Sequence, residues 1–115
     1  MNLEHSRYQK HNRLKTPTEF RSVFNTGKRS IDSQFVVLVK QNNLGYSRLG
    51  LVISKKKLTR AVQRNLLKRL VRESFRGNAI IKRGYDIVVL PQKSVSINQK
   101  SILRDSLSSH WKKFT

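Results

Sequence analysis

The sequence contains no cysteine, and only six of its 115 residues are acidic. Without cysteine the chain can form neither disulfide bonds nor thiolate metal sites, and it has no thiol nucleophile. Its longest apolar runs, "FVVLV" and "IVVL", fall far short of the roughly 18 to 20 residues that span a bilayer. The N-terminus, "MNLEHSRYQKHNRLK", lacks the apolar stretch of a secretory signal. We therefore expect a cytoplasmic protein that does not enter a membrane.

The few carboxylates are also far apart in the sequence. The shortest separation is 13 residues, as between Glu73 and Asp86. A metal-dependent nuclease needs several carboxylates around its metal ions. The histidines add little, because His110 follows an apolar helical stripe and is expected to border the core. The sequence therefore predicts no catalytic and no metal-binding residue, which disfavours an autonomous nuclease.

Positive charge dominates what is present. Lysine and arginine total 25, and the formal net charge is +19. No acidic residue occurs between Asp32 and Glu73, an interval that contains many lysines and arginines. Self-repulsion on this scale destabilises a compact state unless a polyanion neutralises it. The composition therefore favours a nucleic acid as the partner.

The chain is long enough for one domain with a modest core. Residues 1–13 are polar and basic without a sustained period, and we predict that they form a flexible arm. Residues 14–115 then form a single RNA-binding α/β domain. Its regular structure is expected to begin near Thr16.

The stretch "TPTEF" predicts the start of a helix. Thr16 can serve as N-cap, Pro17 occupies the first helical position, and Glu19 completes a capping box. Gly27 supplies the end. Three apolar side chains share one face of this helix, which we expect to be buried: Phe20, Val23 and Phe24.

Three apolar segments predict strands. "QFVVLVK" is apolar on both alternations, as expected for a strand covered on two faces, and "RLGLVIS" is predicted to pair with it antiparallel. Gly50 and Ser54 leave one face of "RLGLVIS" low in side-chain bulk, which predicts a groove there. "YDIVVLP" is the third strand, and residues 28–32 can add a short edge strand.

Two further helices complete the pattern. One is predicted from about Thr59 to Arg76, ended by Gly77 and Asn78. The other can be capped by Asn98, and it buries three residues spaced by four: Leu103, Leu107 and Trp111. The order of helix, two or three strands, helix, strand and helix indicates an α+β or α/β arrangement around one sheet.

The helix predicted from Thr59 has two different faces. At 100° per residue, an apolar arc expected to pack on the sheet contains Leu66, Leu67, Leu70 and Val71. The complementary arc carries Asn65, the apolar Ala61 and Phe75, and five cations: Arg64, Lys68, Arg69, Arg72 and Arg76. A solvated face normally mixes charges of both signs, because like charges one turn apart repel. We interpret the cationic arc as a binding surface for a polyanion. Asn65 can both donate and accept hydrogen bonds, which suits sugar hydroxyls and base edges.

The stretch "GLVISKKKLTRAVQRNLLKRLVRESFR" resembles the protein subunit of bacterial ribonuclease P. The family signature places an alanine, an Arg-Asn pair, a Lys-Arg pair and one more basic residue on a helix. This chain meets it with Ala61, Arg64, Asn65, Lys68, Arg69 and Arg72. The similarity extends to "NRLKTPTEFRSVF", to "YDIVVLP" and to the helix that contains Trp111.

The resemblance implies a subunit that joins a large catalytic RNA. That RNA removes the 5′ leader of precursor tRNA by magnesium-dependent phosphodiester hydrolysis. The RNA would hold most of the Mg²⁺, and the isolated protein would bind none tightly. The protein is expected to be a monomer when free and to bind as one copy per ribonuclease P RNA.

The resemblance also assigns site residues. The surface that binds the catalytic RNA would comprise Arg60, Arg64, Asn65, Lys68, Arg69 and Arg72. A cleft for the single-stranded leader would comprise Phe20, Phe24, Val36, Leu38, Lys55, Lys56 and Ala61. Many relatives carry an aromatic residue where this chain has Leu38, and leucine offers no ring on which a base can stack.

The implied fold is α+β, with a single sheet of three to four strands and three helices in the order αββ(β)αβα. It is similar to the second domain of a ribosomal small-subunit protein. Its βαβ unit between residues 47 and 90 crosses over with left-handed sense, whereas nearly all parallel βαβ units are right-handed. The main alternative function is a ribosomal or ribosome-assembly RNA-binding protein without nuclease association.

Overall fold

The computed structural model describes residues 12–115, which contain three α-helices, a short 3₁₀ helix and a four-stranded sheet. The elements are α1 (Pro17–Thr26), β1 (Lys28–Ile31), β2 (Phe35–Gln41), β3 (Arg48–Leu51), α2 (Ala61–Arg76), a 3₁₀ helix (Ala79–Lys82), β4 (Tyr85–Pro91) and α3 (Lys100–Lys112). This order confirms the predicted α+β class. None of the helices in this part of the chain is long and apolar enough to cross a membrane.

Helix α1 begins and ends where its capping signals predict. The Thr16 hydroxyl accepts the Glu19 N–H at 3.2 Å, and Glu19 Oε1 accepts the Thr16 N–H at 2.9 Å. Pro17 occupies the first turn, and the Gly27 N–H donates to the Val23 carbonyl at 2.8 Å. A reciprocal cap of this kind satisfies backbone donors that have no partner inside the helix.

The chain just before α1 is packed against β3. Asn12 is buried and its Nδ2 donates to the Ser47 carbonyl at 2.9 Å, while the Leu14 N–H donates to the Leu49 carbonyl at 3.1 Å. Arg13 forms a parallel bridge with Leu49. The predicted start near Thr16 is therefore too late, and Asn12 and Arg13 do not belong to an arm. The rest of the predicted arm lies outside the described residues.

The sheet has the order β1-β2-β4-β3. β1 pairs antiparallel with β2, β2 pairs antiparallel with β4, and β3 pairs parallel with β4. The edge strand is confirmed, whereas the predicted pairing of β2 with β3 is wrong because β4 lies between them. β3, α2 and β4 form the expected parallel βαβ unit, and its left-handed sense stays a prediction.

The connection over residues 42–47 explains the position of β3. The Asn42 N–H donates to the Gly84 carbonyl at 2.9 Å. Ser47 Oγ donates to the Ile80 carbonyl at 2.6 Å and accepts the Tyr85 N–H at 3.0 Å. These bonds hold the connection across the start of β4, so that the chain reaches the far side of β4 before β3 begins. β3 then ends at Leu51, three residues earlier than predicted.

Both faces of the sheet are covered, as the apolar pattern of β2 predicts. α1 lies on one face, over Leu38 and Val88. α2 and α3 lie on the other, where the larger core contains Phe35, Val37 and Ile87. Burying apolar surface on both sides of one sheet is the main driving force for this arrangement.

Two predicted details of the helices are wrong. Phe75, which the helical arcs place among the cations of α2, is fully buried, because α3 also packs on α2 and Trp111 meets Phe75 edge to face with 6.2 Å between ring centroids. The cap of α3 is Gln99 rather than Asn98, and its side chain makes no capping hydrogen bond. The buried stripe of α3 is confirmed at Leu103, Leu107 and Trp111.

A polar network attaches β1 and the following turn to α3. Asp32 Oδ1 accepts the N–H groups of Gln34 and Phe35, each at 2.8 Å. Its Oδ2 accepts the Ser106 hydroxyl and lies 3.1 Å from Nε2 of the buried His110. Burial alone would raise the pKa of Asp32, but these hydrogen bonds outweigh it and lower the pKa from 3.8 to about 2.

The ionised Asp32 carboxylate should stabilise the fold, and this contribution should be lost in acid. Because the folded pKa lies below the unfolded one, the contribution is present above pH 3.8 and is lost as the pH falls through about 2. The loss should be about 1 to 2 kcal/mol after allowance for solvent screening. Between these pH values, the free energy of unfolding measured in urea should depend less on pH for Asp32→Asn than for wild type. Exposed Asp105→Asn serves as the control, and an Asp32→Asn slope equal to that of wild type would contradict the assignment.

Candidate nucleic-acid interface

Positive charge is concentrated in an open cleft between α2 and the segment that precedes α1. Its volume is about 490 Å³. Five cations and a single carboxylate line it, together with one amide: Arg13, Lys68, Arg69, Arg72, Arg76, Glu73 and Asn65. A concave surface in which cations outnumber acids focuses positive potential and attracts polyanions.

The core determines which side chains of α2 reach this cleft. Leu67, Val71 and Phe75 are fully buried and Leu70 is 4% exposed, which sets the rotation of the helix about its axis. Leu66, which the helical arcs place in the core, is only half-buried in the structure. Arg72 is also half-buried, and its Nε has no hydrogen-bond acceptor within residues 12–115.

The structure brings together four of the six residues assigned to the catalytic-RNA surface: Asn65, Lys68, Arg69 and Arg72. Arg64 differs, because its Nη1 donates to the carbonyls of Leu58 at 2.8 Å and Thr59 at 2.9 Å. It therefore tethers the segment before α2. Arg60 is exposed at the N-cap of α2 and borders a separate cleft with Val62 and Ile97.

Sequence reasoning missed Arg13 as a member of the cationic cleft. Arg13 is far from α2 in the sequence and comes to it because Asn12 and Leu14 hold the backbone against β3. The available signal was Leu14, the one apolar residue in the polar stretch "HNRLK", which enters the core beside Val88.

The residues assigned to the leader cleft divide into a packed group and an exposed group. Phe20 and Val36 are half-buried and pack against Leu38 and Val88. Leu38 itself is 2% exposed, so it lies beneath Phe20 and Val36 and offers almost no area to a ligand. The groove expected at Gly50 is filled by Phe20: a Cβ on Gly50 would lie 2.6 Å from Phe20 Cζ.

The exposed group consists of Phe24, Lys55, Lys56 and Ala61. Phe24 is 37% exposed on α1. The two lysines follow β3 at the carboxyl end of the parallel pair, where Val36 of β2 pairs with Leu90 of β4. Lysines therefore lie at the same end of the sheet as the apolar surface around Val36.

An ion-pair network joins α1 to the sheet beside this surface. Arg48 of β3 binds Asp86 of β4 through two bonds of 2.8 and 2.6 Å, and its Nη1 donates to Glu19 of α1 at 2.7 Å. The hydrogen bonds and charge of Asp86 raise the pKa of Arg48. Backbone N–H groups of Lys15 and Thr16, together with Arg48, lower the pKa of Glu19. Glu19 and Asp86, which are far apart in the sequence, thus bind the same arginine.

A family model described as Ribonuclease P matches residues 8–115. The chain belongs to this family. A "Ribonuclease P protein component" of Thermotoga maritima is 46% identical over 90 residues, covering 77% of this chain and 76% of that protein. Another, from Methylococcus capsulatus, is 40% identical over 104 residues, covering 90% and 81%.

Solved ribonuclease P proteins share the fold. The Thermotoga maritima protein superposes with a TM-score of 0.78 at 40% identity, covering 88% of this chain and 96% of that one. The Staphylococcus aureus protein superposes with a TM-score of 0.76 at 29% identity, covering 90% and 94%. The family resemblance inferred from the basic helix is thus confirmed over nearly the whole chain.

The contact of Phe20 with Gly50 can be tested by overpacking. Gly50→Ala places a methyl group against the Phe20 ring, and it should destabilise the protein by about 1 to 3 kcal/mol. In a Phe20→Ala background the same change should cost clearly less, because the opposing ring is gone. Urea unfolding of the four proteins measures this coupling. Equal costs in the two backgrounds would show that the ring does not lie over Gly50.

Proposed function

We propose that this chain is the protein component of a ribonuclease P ribonucleoprotein, in which it binds the catalytic RNA through the cationic cleft and the 5′ leader of precursor tRNA through the surface around Phe20. The RNA carries out the hydrolysis that forms the mature 5′ end. The protein supplies binding free energy to it, one copy per catalytic RNA, in the cytoplasm.

Four cations of α2 and Arg13 converge on one concave surface, and this convergence carries the proposal. Phosphates that bind there release condensed counterions, which gives an affinity that falls steeply with salt. Asn65 lines the same cleft and can hydrogen-bond to sugar hydroxyls or base edges. Family membership supports RNA as the polyanion.

The apolar surface on α1 supports the leader assignment. Phe20 is half-buried and Phe24 is 37% exposed, so both rings keep area on which a base can stack. Lysines at the adjoining end of the sheet can neutralise leader phosphates. Because mature tRNA has no leader, contacts of this kind favour substrate over product.

Magnesium is the cofactor that ribonuclease P chemistry implies. Within residues 12–115 no three histidine, aspartate or glutamate side chains come together as potential metal ligands. We therefore assign no residue of this chain to Mg²⁺, and the proposal leaves the metal with the RNA. The part of this chain is to hold phosphates and leader bases.

The rival function, a ribosomal or ribosome-assembly protein, predicts a different RNA partner. Affinity purification of the tagged protein, followed by sequencing of the bound RNA, separates the two. One dominant RNA of the ribonuclease P type supports the proposal. Enrichment of ribosomal RNA would overturn it.

Removing charge from the cleft should weaken assembly. Arg69→Gln with Arg76→Gln takes away two cations that line the cleft, without touching the core. The slope of log affinity for the catalytic RNA against log salt should become shallower by about 1 to 2. The control is Lys93→Gln with Lys100→Gln, which removes the same charge at exposed positions outside the cleft. Equal slopes for the two double variants would show that the cleft is not the interface.

Removing the exposed ring should weaken leader binding alone. Phe24→Ala should reduce the affinity of the assembled complex for precursor tRNA by about five- to 100-fold, the range expected for one stacked base. Affinity for mature tRNA and for the catalytic RNA should not change. Ile102→Ala, which truncates an exposed apolar residue of α3, is the control. The leader assignment would be wrong if both variants bound precursor as wild type does.

A further inference from the structure

A single carboxylate both starts α1 and attaches it to the sheet. Glu19 Oε1 accepts the N–H groups of Lys15 at 2.7 Å and Thr16 at 2.9 Å. Its second oxygen, Oε2, accepts Arg48 Nη1 at 2.7 Å. The two oxygens thus have separate tasks, one within the helix and one between the helix and β3.

The guanidinium on the other side of this contact is itself fixed. Arg48 binds Asp86 through Nε and Nη2, and Asn42 Nδ2 donates to Asp86 Oδ1 at 2.9 Å. The side chains of Arg48 and Asp86 are only 20% and 10% exposed. A bidentate arginine with little solvent access has a well-defined orientation. It therefore presents Nη1 to Glu19 from a rigid strand pair.

The position of Phe20 depends on the same anchor. Phe20 follows Glu19 on α1, and its ring lies over Gly50, two residues beyond Arg48 on β3. Gly50 leaves room for the ring but does not by itself determine where the ring sits. The bond from Arg48 to Glu19 joins the first turn of α1 to β3, two residues from Gly50, and so adds a directional contact beside the ring to the apolar packing of the helix.

We infer that Arg48 is a positioning residue for leader recognition, acting through Glu19 to hold the α1 aromatic surface in place over the sheet. This inference rests on the proposed function, because it assigns the leader to that surface. Arg48 itself is expected to touch neither the catalytic RNA nor the leader. Replacing Arg48 should therefore weaken leader binding and leave the binding of the catalytic RNA unchanged.

Glu19→Gln separates the two tasks of the carboxylate. The amide oxygen can still accept the N–H groups at the start of α1, but the NH₂ group then faces another donor in Arg48. The cap is retained while this link to β3 is lost. Asp105→Asn is the matched control, since it makes the same change in net charge at an exposed position on α3.

The experiment uses holoenzyme reconstituted from the full chain and the catalytic RNA. Precursor with a long leader is compared with precursor whose leader is a single nucleotide. Relative to Asp105→Asn, Glu19→Gln should raise KM for the long-leader substrate by about three- to tenfold, which is less than the full strength of one charged hydrogen bond because α1 keeps its apolar contacts with the sheet. It should leave unchanged the kcat, the KM of the short-leader substrate and the affinity of the protein for the catalytic RNA.

Arg48→Lys tests the arginine itself. Lysine keeps the charge, but one ammonium group cannot reproduce the fork that reaches both carboxylates. This variant should show the same selective rise in KM, and combining it with Glu19→Gln should add nothing further because both break one link. Fully additive effects would overturn the inference. Thermal unfolding of each variant confirms that the compared proteins are folded.

The outcomes distinguish this inference from the proposed function. If wild-type holoenzyme has the same KM for both leaders, the leader function fails and the inference fails with it. If wild type prefers the long leader but Glu19→Gln behaves as Asp105→Asn does, only the inference fails. Equal rises in KM for both substrates would likewise overturn it, since they would indicate a general structural effect.

Discussion

The burial of one face of α2 between the sheet and α3 determines which way most of the cations of this helix face. Leu67, Val71 and Phe75 have no solvent exposure, so the helix cannot rotate without exposing core. The cations that alternate with them must then face outward, toward the segment that carries Arg13. Repulsion among these side chains opposes folding, and hydrophobic burial outweighs it. The protein thereby keeps a cleft lined by five cations.

Local signals in the sequence predict where helices and strands begin and end better than they predict which elements pack against each other. The capping box at Thr16 and Glu19 sets the start of α1 through bonds within a few residues, so it could be read directly. Strand order depends instead on tertiary bonds from residues 42–47 to Gly84 and the 3₁₀ helix, which no local pattern encodes. Helical arcs misplaced Phe75 because they assume one packing partner, whereas α2 has both the sheet and α3.

The candidate site was predictable where one helix supplies it. Asn65, Lys68, Arg69 and Arg72 share a face by helical geometry, and the structure retains them in one cleft. Arg64 has the same spacing but binds two backbone carbonyls, a partner choice that spacing does not reveal. Residues contributed by distant segments, such as Arg13 and the pair of Arg48 with Glu19, require the three-dimensional fold. The same is true of Phe20 over Gly50.

If the proposed function is correct, the catalytic RNA covers the α2 cleft in the assembled particle. Because the chain has no cysteine, a thiol introduced as Asn65→Cys is unique, and exposed Ser109→Cys on α3 provides a matched reference. The rate of maleimide alkylation should fall sharply at position 65 when the catalytic RNA is added and stay unchanged at position 109. Equal rates at position 65 with and without the RNA would show that the RNA does not cover this cleft.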